Sequence, residues 1–241
     1  MSIAQTVQQG IANMPAGQIF GYQELESYAQ SPAAVIKAVN RLVSEEQLAR
    51  ISKGKFYVPK KGLLGARKPS DGELVRSVLY KEGRLRGYVT GLSLYNLLGL
   101  TTQMPRTVTI ALNGSRQEKK FATIRIRTVG TRAPVDEKNV RILQYLDALK
   151  DIKTIPDSNI DLSLKIIRRK ISELSENEQS FLISLAEQYY TPQVRALVGL
   201  LFSSLCMVIP ASLKLSLNPT TTYKLSLDGR EWPMSKDWNI R

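Results

Sequence analysis

Histidine is absent from this chain of 241 residues, and cysteine occurs only once. Without histidine there is no Ser-His or Cys-His nucleophile pair and no histidine metal ligand, and one cysteine cannot form a zinc centre. The glycine-rich loops with which nucleotide enzymes bind phosphate are also missing, since neither GxGxxG nor GxxxxGK followed by Ser or Thr occurs. The paired acids Glu45-Glu46 and Asp136-Glu137 are explained by solvation and by the helix dipole. We therefore predict no catalytic residue, no metal, no cofactor and no enzymatic activity.

Long apolar runs are missing as well. The longest, residues 196–209, is interrupted by a glycine and two serines, whereas a membrane-spanning helix needs about 20 apolar residues. Residues 1–14 are amphipathic and lack the positive region of a signal peptide. The sequence thus predicts a cytoplasmic protein without a membrane partner. Cys206 lies inside the apolar run, which predicts a buried thiol in a reducing compartment.

Acidic residues are scarce in the first part of the chain only. Lys plus Arg number 9 against 4 acids in residues 1–70, 11 against 4 in residues 71–135, and 14 against 13 in residues 136–241. Twelve of the 13 excess positive charges therefore precede residue 136. Such segregation favours binding to a polyanion through attraction and counterion release. The simpler alternative is a chance distribution of charges that serve solubility.

Residues 31–59 are typical of a helix followed by a hairpin. Ser31 and Pro32 form an N-cap and a first-turn proline. Apolar residues then recur at helical spacing and predict one buried stripe, made of Val35, Val39, Leu42 and Val43. The strand-like runs 48–52 and 55–58 are joined through Lys53-Gly54, where glycine permits a positive φ. A helix that leads directly into a basic hairpin is the outline of a winged helix-turn-helix.

The residues before this stretch favour the same interpretation. An amphipathic segment at residues 3–14 and a small helical segment at 22–28 precede the helix that starts at Pro32. Three helices and then a hairpin is the order of a winged helix, which we predict for residues 1–61, with the third helix reading DNA. The alternative is a helix and hairpin packed into a core, with their lysines merely solvated.

The remaining residues predict an α+β fold, with a small α+β middle domain at 70–135 and a mainly helical C-terminal region at 136–241. In the middle domain, Asn113-Gly114 predicts a hairpin between strands 106–112 and 120–129, and Thr90 is the expected cap of a short helix. The polar face of the second strand carries Arg125 and Arg127. In the C-terminal region, helices are predicted to begin at Asp136, Asp157, Ser175 and Thr191. Whether these helices form a separate unit or complete the core of the middle domain is left open.

Two groups of motifs resemble AbiEi-type antitoxins of bacterial abortive-infection and toxin-antitoxin operons. The first comprises IFGYQEL at 19–25, VNRLV at 39–43 and LARISKGKFYVP at 48–59, and the second is GLSLYNLLGLTTQMP at 91–105. The resemblance implies an N-terminal winged helix that binds inverted repeats of double-stranded DNA in its own promoter, an arrangement that a homodimer would suit. It further implies a C-terminal region that neutralises a nucleotidyltransferase-like toxin without a lasting complex.

The DNA-binding residues expected on this basis are Ser31, Lys37, Asn40, Arg41, Lys53 and Lys55. Lys53 and Lys55 would contact phosphates, and Asn40 and Arg41 would read base edges. For Arg41 the alternative is an ion pair with Glu45, four residues later on the helix. The predicted function is that of a DNA-binding transcriptional autorepressor and antitoxin. The alternative is a winged-helix module that binds RNA or protein and has no antitoxin activity; Arg125 and Arg127 suit RNA, although only Phe121 supplies a nearby aromatic ring.

Overall fold

The computed structural model describes residues 2–62, 65–114, 116–121 and 123–241, and for residues 60–62 and 65–67 it describes the backbone alone. The fold is mixed α+β, as the sequence predicts. The chain divides into two compact units, Met1–Arg86 (unit 1) and Gly87–Arg241 (unit 2). These units differ from the predicted domains 1–61, 70–135 and 136–241, because residues 70–86 belong to unit 1 and all later residues belong to unit 2.

Unit 1 combines three helices with short antiparallel strands. In chain order its elements are α1 (Ile3–Ala12), β1 (Ile19–Gly21), two 3-10 turns (Tyr22–Glu24 and Glu26–Tyr28), α2 (Pro32–Ser44), β2 (Ala49–Ser52), β3 (Lys55–Tyr57), β4 (Lys60–Gly62), β5 (Gly65–Arg67), α3 (Asp71–Leu79), β6 (Tyr80–Lys81) and β7 (Arg84–Leu85). The first three strands form one antiparallel sheet in the order β1-β3-β2. The predicted helix at 22–28 is therefore a pair of 3-10 turns. Leu63 and Leu64, between β4 and β5, lie outside the described residues.

The core of unit 1 follows the apolar spacing of its helices. In α2 the predicted stripe is confirmed for Val35, Val39 and Leu42, which are buried, whereas Val43 is only partly buried. The stripe packs with buried residues of α1 and with Phe20 of β1. Full burial of one such side chain is worth about 1.5–3 kcal/mol, so this apolar face is what holds α2 in place.

Helix α3 is fastened to the sheet of unit 1 by one carboxylate. Ser70 caps α3 by accepting the backbone N–H of Glu73 at 3.2 Å. The Glu73 carboxylate accepts the backbone N–H of Ile19 at 2.7 Å and two bonds from Arg76, both 2.7 Å. Burial raises the pKa of Glu73, but the bonds from Arg76 and Ile19 outweigh it, so that the pKa lies below its usual value. The carboxylate therefore stays ionised at neutral pH and holds α3 against β1.

Unit 2 is a four-stranded sheet followed by helices. Its elements are β8 (Gly87–Thr90), α4 (Leu92–Leu98), β9 (Thr107–Leu112), β10 (Glu118–Lys120), β11 (Arg125–Gly130), α5 (Val140–Lys150), α6 (Ile160–Ser172), α7 (Glu176–Tyr189), α8 (Pro192–Ser204), α9 (Ala211–Leu215) and a 3-10 helix (Pro233–Trp238). The strand order is β10-β11-β9-β8. Thr90 ends a strand instead of capping α4, and α4 ends at Leu98, followed by Gly99 with a φ of +78°, the left-handed conformation common at helix C-termini.

The hairpin predicted at Asn113-Gly114 is wrong. Strands β9 and β11 are parallel neighbours, with Thr107 opposite Arg125 and Leu112 opposite Gly130. Parallel strands cannot be joined by a tight turn, so the chain after β9 first forms β10, which pairs antiparallel with the far edge of β11. Ser115 and Ala122, which also belong to the predicted strands and turn, lie outside the described residues.

One hydrophobic core joins the sheet of unit 2 to its helices. Tyr88, Leu94 and Ala111 from residues 87–135 belong to the same buried cluster as the apolar faces of α5, α6, α7 and α8. The helices after residue 136 therefore complete the core of the preceding residues, and the boundary predicted at 135/136 does not separate two cores. Helices α7 and α8 begin as predicted, whereas α5 begins at Val140 and α6 at Ile160, slightly later than predicted.

The apolar segment around Cys206 also differs from its prediction. Helix α8 ends at Ser204, and Cys206 lies in the following turn with a φ of +53°, exposed to solvent. The thiol is therefore not buried. Residues 213–227 form no hairpin: α9 covers the first of them, and Tyr223 makes an isolated bridge with Ile240. Across the described part of the chain, none of the helices combines the length and apolar character needed to cross a membrane.

Candidate nucleic-acid interface

Helix α2 presents a polar face on the side away from its buried stripe. Lys37, Asn40 and Arg41 are all exposed and stand at positions i, i+3 and i+4, so they are neighbours on the helix surface. Proline at the first helical position starts α2, and Ser31 at its N-cap makes no side-chain capping bond. The apolar side of α2 thus fixes the helix, and these polar side chains lie at the surface.

The hairpin after α2 adds a basic turn. Strands β2 and β3 pair antiparallel, and the turn between Ser52 and Lys55 is formed by Lys53 and Gly54. Gly54 has a φ of +71°, a conformation that glycine adopts without the strain of a side chain. Lys53 is therefore carried at the tip of the hairpin, where it is exposed.

Two of the six predicted residues are engaged by carboxylates. The Arg41 guanidinium lies 3.2 Å from the Glu45 carboxylate, which is the ion pair foreseen as the alternative to base reading. The Lys55 amine lies 3.6 Å from Glu24, and its side chain is only 31% exposed. Lys37 and Lys53, by contrast, are exposed, and neither forms a salt bridge with any described carboxylate. The predicted residues thus differ in how freely they can meet phosphate.

Arg50 is a member of this surface that sequence reasoning did not single out. Its guanidinium donates to the Asn40 Oδ1 atom at 3.2 Å and lies 5.4 Å from the centre of the Phe56 ring. The bond leaves the Asn40 amide N–H group available for another partner. The sequence shows only that basic residues are frequent from position 50 onward. This count does not indicate that the Arg50 side chain contacts Asn40 of α2.

A buried carboxylate organises a second polar cluster in unit 2. Asp147 on α5 accepts hydrogen bonds from the hydroxyls of Thr90 at 2.7 Å and of Tyr88 and Tyr190 at 3.1 Å, and Lys150 lies 3.5 Å away. Burial, and next the charge of Asp147, raise the pKa values of both Tyr88 and Tyr190 well above the usual range. Three hydroxyl donors already bind this carboxylate. It therefore holds α5 against neighbouring parts of unit 2 and is not available as a general base.

Among the described residues, no group of three or more His, Cys, Asp or Glu side chains is placed to hold a metal ion.

The family of the chain is shown by its sequence. Residues 6–174 match the model of a family of unknown function, DUF6088, and the protein therefore belongs to that family. Among solved structures, the chain is similar to the crystal structure of the RV2827C protein from Mycobacterium tuberculosis, with a TM-score of 0.51 and 15% identity. That similarity covers 98% of this chain and 90% of the other, and at this identity it concerns the fold alone. No curated protein matches the chain.

Proposed function

We propose that residues 1–61 are a winged helix-turn-helix domain that binds double-stranded DNA. The order of α1, the 3-10 turns, α2 and the β2–β3 hairpin, with β1 as the third strand of the sheet, is the order that this domain requires. The observation that carries the proposal is the exposed polar face of α2 next to a hairpin with a lysine at its tip. In this arrangement α2 enters the major groove, and the hairpin lies along the phosphates.

The contacts divide by their chemistry. Asn40 and Arg41 face base edges, since an asparagine amide pairs with adenine and a guanidinium with guanine. Lys37 and Lys53 bind phosphates. Lys55 contributes less than Lys53, because its charge is already shared with Glu24. Ser31 stands at the N-terminus of α2, where a hydroxyl and backbone amides suit a phosphate.

The biological role we propose is that of a cytoplasmic transcriptional autorepressor and the antitoxin of a nucleotidyltransferase-like toxin. Support comes from the resemblance of segments 19–59 and 91–105 to AbiEi-type antitoxins and from the positive charge before residue 136. The DNA site is an inverted repeat in the promoter, bound by two copies, and the toxin is neutralised without a lasting complex.

The role requires that a nucleotidyltransferase be encoded alongside. Co-expression of the full chain should restore growth against that toxin, and a lack of rescue would refute the antitoxin role.

DNA binding is tested with Lys53→Ala in the full chain, by fluorescence anisotropy on duplexes from the promoter and of unrelated sequence. Loss of one phosphate contact should weaken binding to both duplexes and reduce the slope of log K against log salt by about 1. Lys81→Ala is the matched control, because Lys81 is exposed on the same unit, outside the proposed interface, with 64% of its side chain accessible. Equal affinities and salt slopes for Lys53→Ala and Lys81→Ala would contradict the proposal.

A further inference from the structure

The sheet of unit 2 has one face that changes from apolar to polar along its strands. The strand register places Tyr88 beside Ala111 and Ala111 beside Val129, and these residues pack in or against the core. Two residues earlier on β9 and β11, Thr109 lies beside Arg127, and beyond them Thr107 lies beside Arg125. Side chains two positions apart on a strand share a face, so the threonines and arginines continue the surface on which the core ends.

A cleft of about 770 Å³ covers this polar end of the sheet. Its walls are the start of α4, the segment before β9, the residues around β10 and the end of α5. Thr109 is buried at the sheet, while Arg125 and Arg127 are exposed at the opening. The volume lies in the range of sites for small molecules, about 300–1,000 Å³.

The cleft has a marked excess of positive charge. Five basic side chains line it against two acidic ones: Arg106, Arg116, Arg125, Arg127 and Lys150 against Glu118 and Asp151. No salt bridge connects any of the four arginines to a carboxylate within the described part of the chain. Of the two acids, Asp151 already accepts the Tyr95 hydroxyl at 2.5 Å. Four guanidinium groups from three chain segments, two of them on β11, thus line one cavity, and none forms an ion pair with a described carboxylate.

Unpaired arginines that converge on a cavity suit phosphate, because the planar guanidinium binds phosphate oxygens through two parallel bonds. The threonine hydroxyls on the sheet add neutral donors. The lining contains no aromatic side chain on which a base could stack, so recognition rests on the phosphates rather than on a row of bases. A cavity of limited size lined by several basic side chains suits a compact ligand whose phosphate groups are adjacent.

We propose that this cleft binds a small ligand with two or three adjacent phosphate groups, such as a nucleoside polyphosphate, held mainly by Arg125 and Arg127. The site lies entirely within unit 2. It is therefore independent of DNA binding by α2, and each proposal stands or fails without the other.

The experiment is isothermal titration calorimetry of the full chain in metal-free buffer. The probes are sodium tripolyphosphate, ATP and a single-stranded DNA octamer. Arg125→Gln/Arg127→Gln should weaken binding of tripolyphosphate and ATP by about tenfold or more, since a bond between charged groups is worth a factor of that size. Arg106→Gln, just before β9 in the lining of the same cleft, should weaken both in the same direction. Arg169→Gln/Arg230→Gln is the matched control, because both arginines are exposed and lie outside the cleft.

The outcomes separate the possible ligands. The proposal is supported if tripolyphosphate and ATP bind more weakly to the cleft variants and with unchanged affinity to the control. The circular dichroism spectra and Tm of the variants must be unchanged. No binding of either small probe, or an equal loss in the control, overturns it. Binding of the octamer alone also overturns it, since the cleft would then follow a nucleic-acid backbone. Repeating the titrations with Lys53→Ala separates the cleft from the hairpin: affinity for the small probes should be unchanged.

Discussion

At the scale of single residues, neighbouring charges decide which side chains of the proposed interface are free. Lys53 and Lys55 are two positions apart, yet Lys53 is exposed at the hairpin tip and Lys55 is paired with Glu24. Arg41 is paired with Glu45 in the same way. Exposed pairs of this kind contribute only about 0.2–1 kcal/mol. A phosphate or a base edge therefore competes with Glu45 for Arg41 at small cost.

The competition at Arg41 yields a prediction for Glu45→Gln. This change should raise affinity for promoter DNA, because it removes one negative charge and frees the guanidinium. Glu46→Gln is the matched control, since the adjacent Glu46 carries the same charge and forms no salt bridge with Arg41. Anisotropy titrations should find Glu45→Gln about twofold to fivefold tighter than Glu46→Gln, the factor that a surface ion pair supplies. Equal affinities of the two variants would mean that Arg41 does not contact DNA.

At the scale of elements, Asp147 connects three parts of unit 2. Its carboxylate on α5 binds Tyr88 and Thr90 of β8 and Tyr190, which lies between α7 and α8. The nearby Tyr95 of α4 donates to Asp151, just after α5. Burial, followed by the bond to Asp151, raises the pKa of Tyr95 above the usual range. These hydroxyls are therefore kept protonated in the folded chain at pH values where an unfolded tyrosine ionises.

The raised tyrosine pKa values predict that unit 2 loses stability at high pH. Unfolded tyrosines release their protons near pH 10, while Tyr88, Tyr95 and Tyr190 keep theirs in the native state. Below pH 10 both states are protonated and the stabilisation is complete; above it the native state holds more protons, so the free energy of unfolding falls. Each tyrosine contributes about 1.4 kcal/mol per pH unit.

The measurement is urea unfolding between pH 9 and 11. Across this range Tyr190→Phe should reduce the total loss by about 1.4 kcal/mol relative to the unmutated chain, because the full slope is reached only above the pKa of the unfolded tyrosine. Tyr189→Phe, at the exposed neighbouring position, is the matched control. The interpretation fails if Tyr190→Phe and Tyr189→Phe behave alike.

At the scale of the whole molecule, the two units determine where the chain can be cut. Residues 87–133 contain the sheet and α4, but most of their core partners are on α5 to α8. Removing these helices removes buried side chains, each of which contributes about 1.5–3 kcal/mol of stabilising free energy. The total free energy of unfolding of a protein is only about 5–15 kcal/mol. A fragment that ends at Ala133 therefore cannot keep residues 87–133 folded.

Hydrogen exchange tests this expectation on two fragments. Amides of β8, β9 and β11 should be protected in fragment 87–241 and exchange freely in fragment 1–133. Protection of these strands in fragment 1–133 would mean that the sheet folds without the helices. A cut at 86/87 follows the two units and is the informative one for separating the proposed DNA binding from the proposed antitoxin activity. Loss of toxin neutralisation in fragment 1–133 would follow from unfolding alone.

Much of the fold was predictable wherever the signal is local. Pro32, the capping box at Ser175 and the glycines at positions 54 and 99 each determine a helix start, a helix stop or a turn within a few residues. The proposed interface was foreseen on the same basis, because the polar positions of α2 are those left over from its apolar stripe. The local signal at Asn113-Gly114 misled, since a turn sequence does not specify which strand the chain pairs with next.

By itself, the sequence determined the mixed α+β composition, the starts of α2, α7 and α8, the buried stripe of α2 and the segregation of charge, because these depend on neighbouring residues and on counting. Only the tertiary structure decided that β9 and β11 run parallel, that Asp147 binds β8 and that Glu45 and Glu24 occupy two of the expected DNA contacts. Strand pairing and buried polar bonds join residues up to 59 positions apart. They are selected by how well the whole core packs and satisfies its polar groups, which no short stretch of sequence encodes.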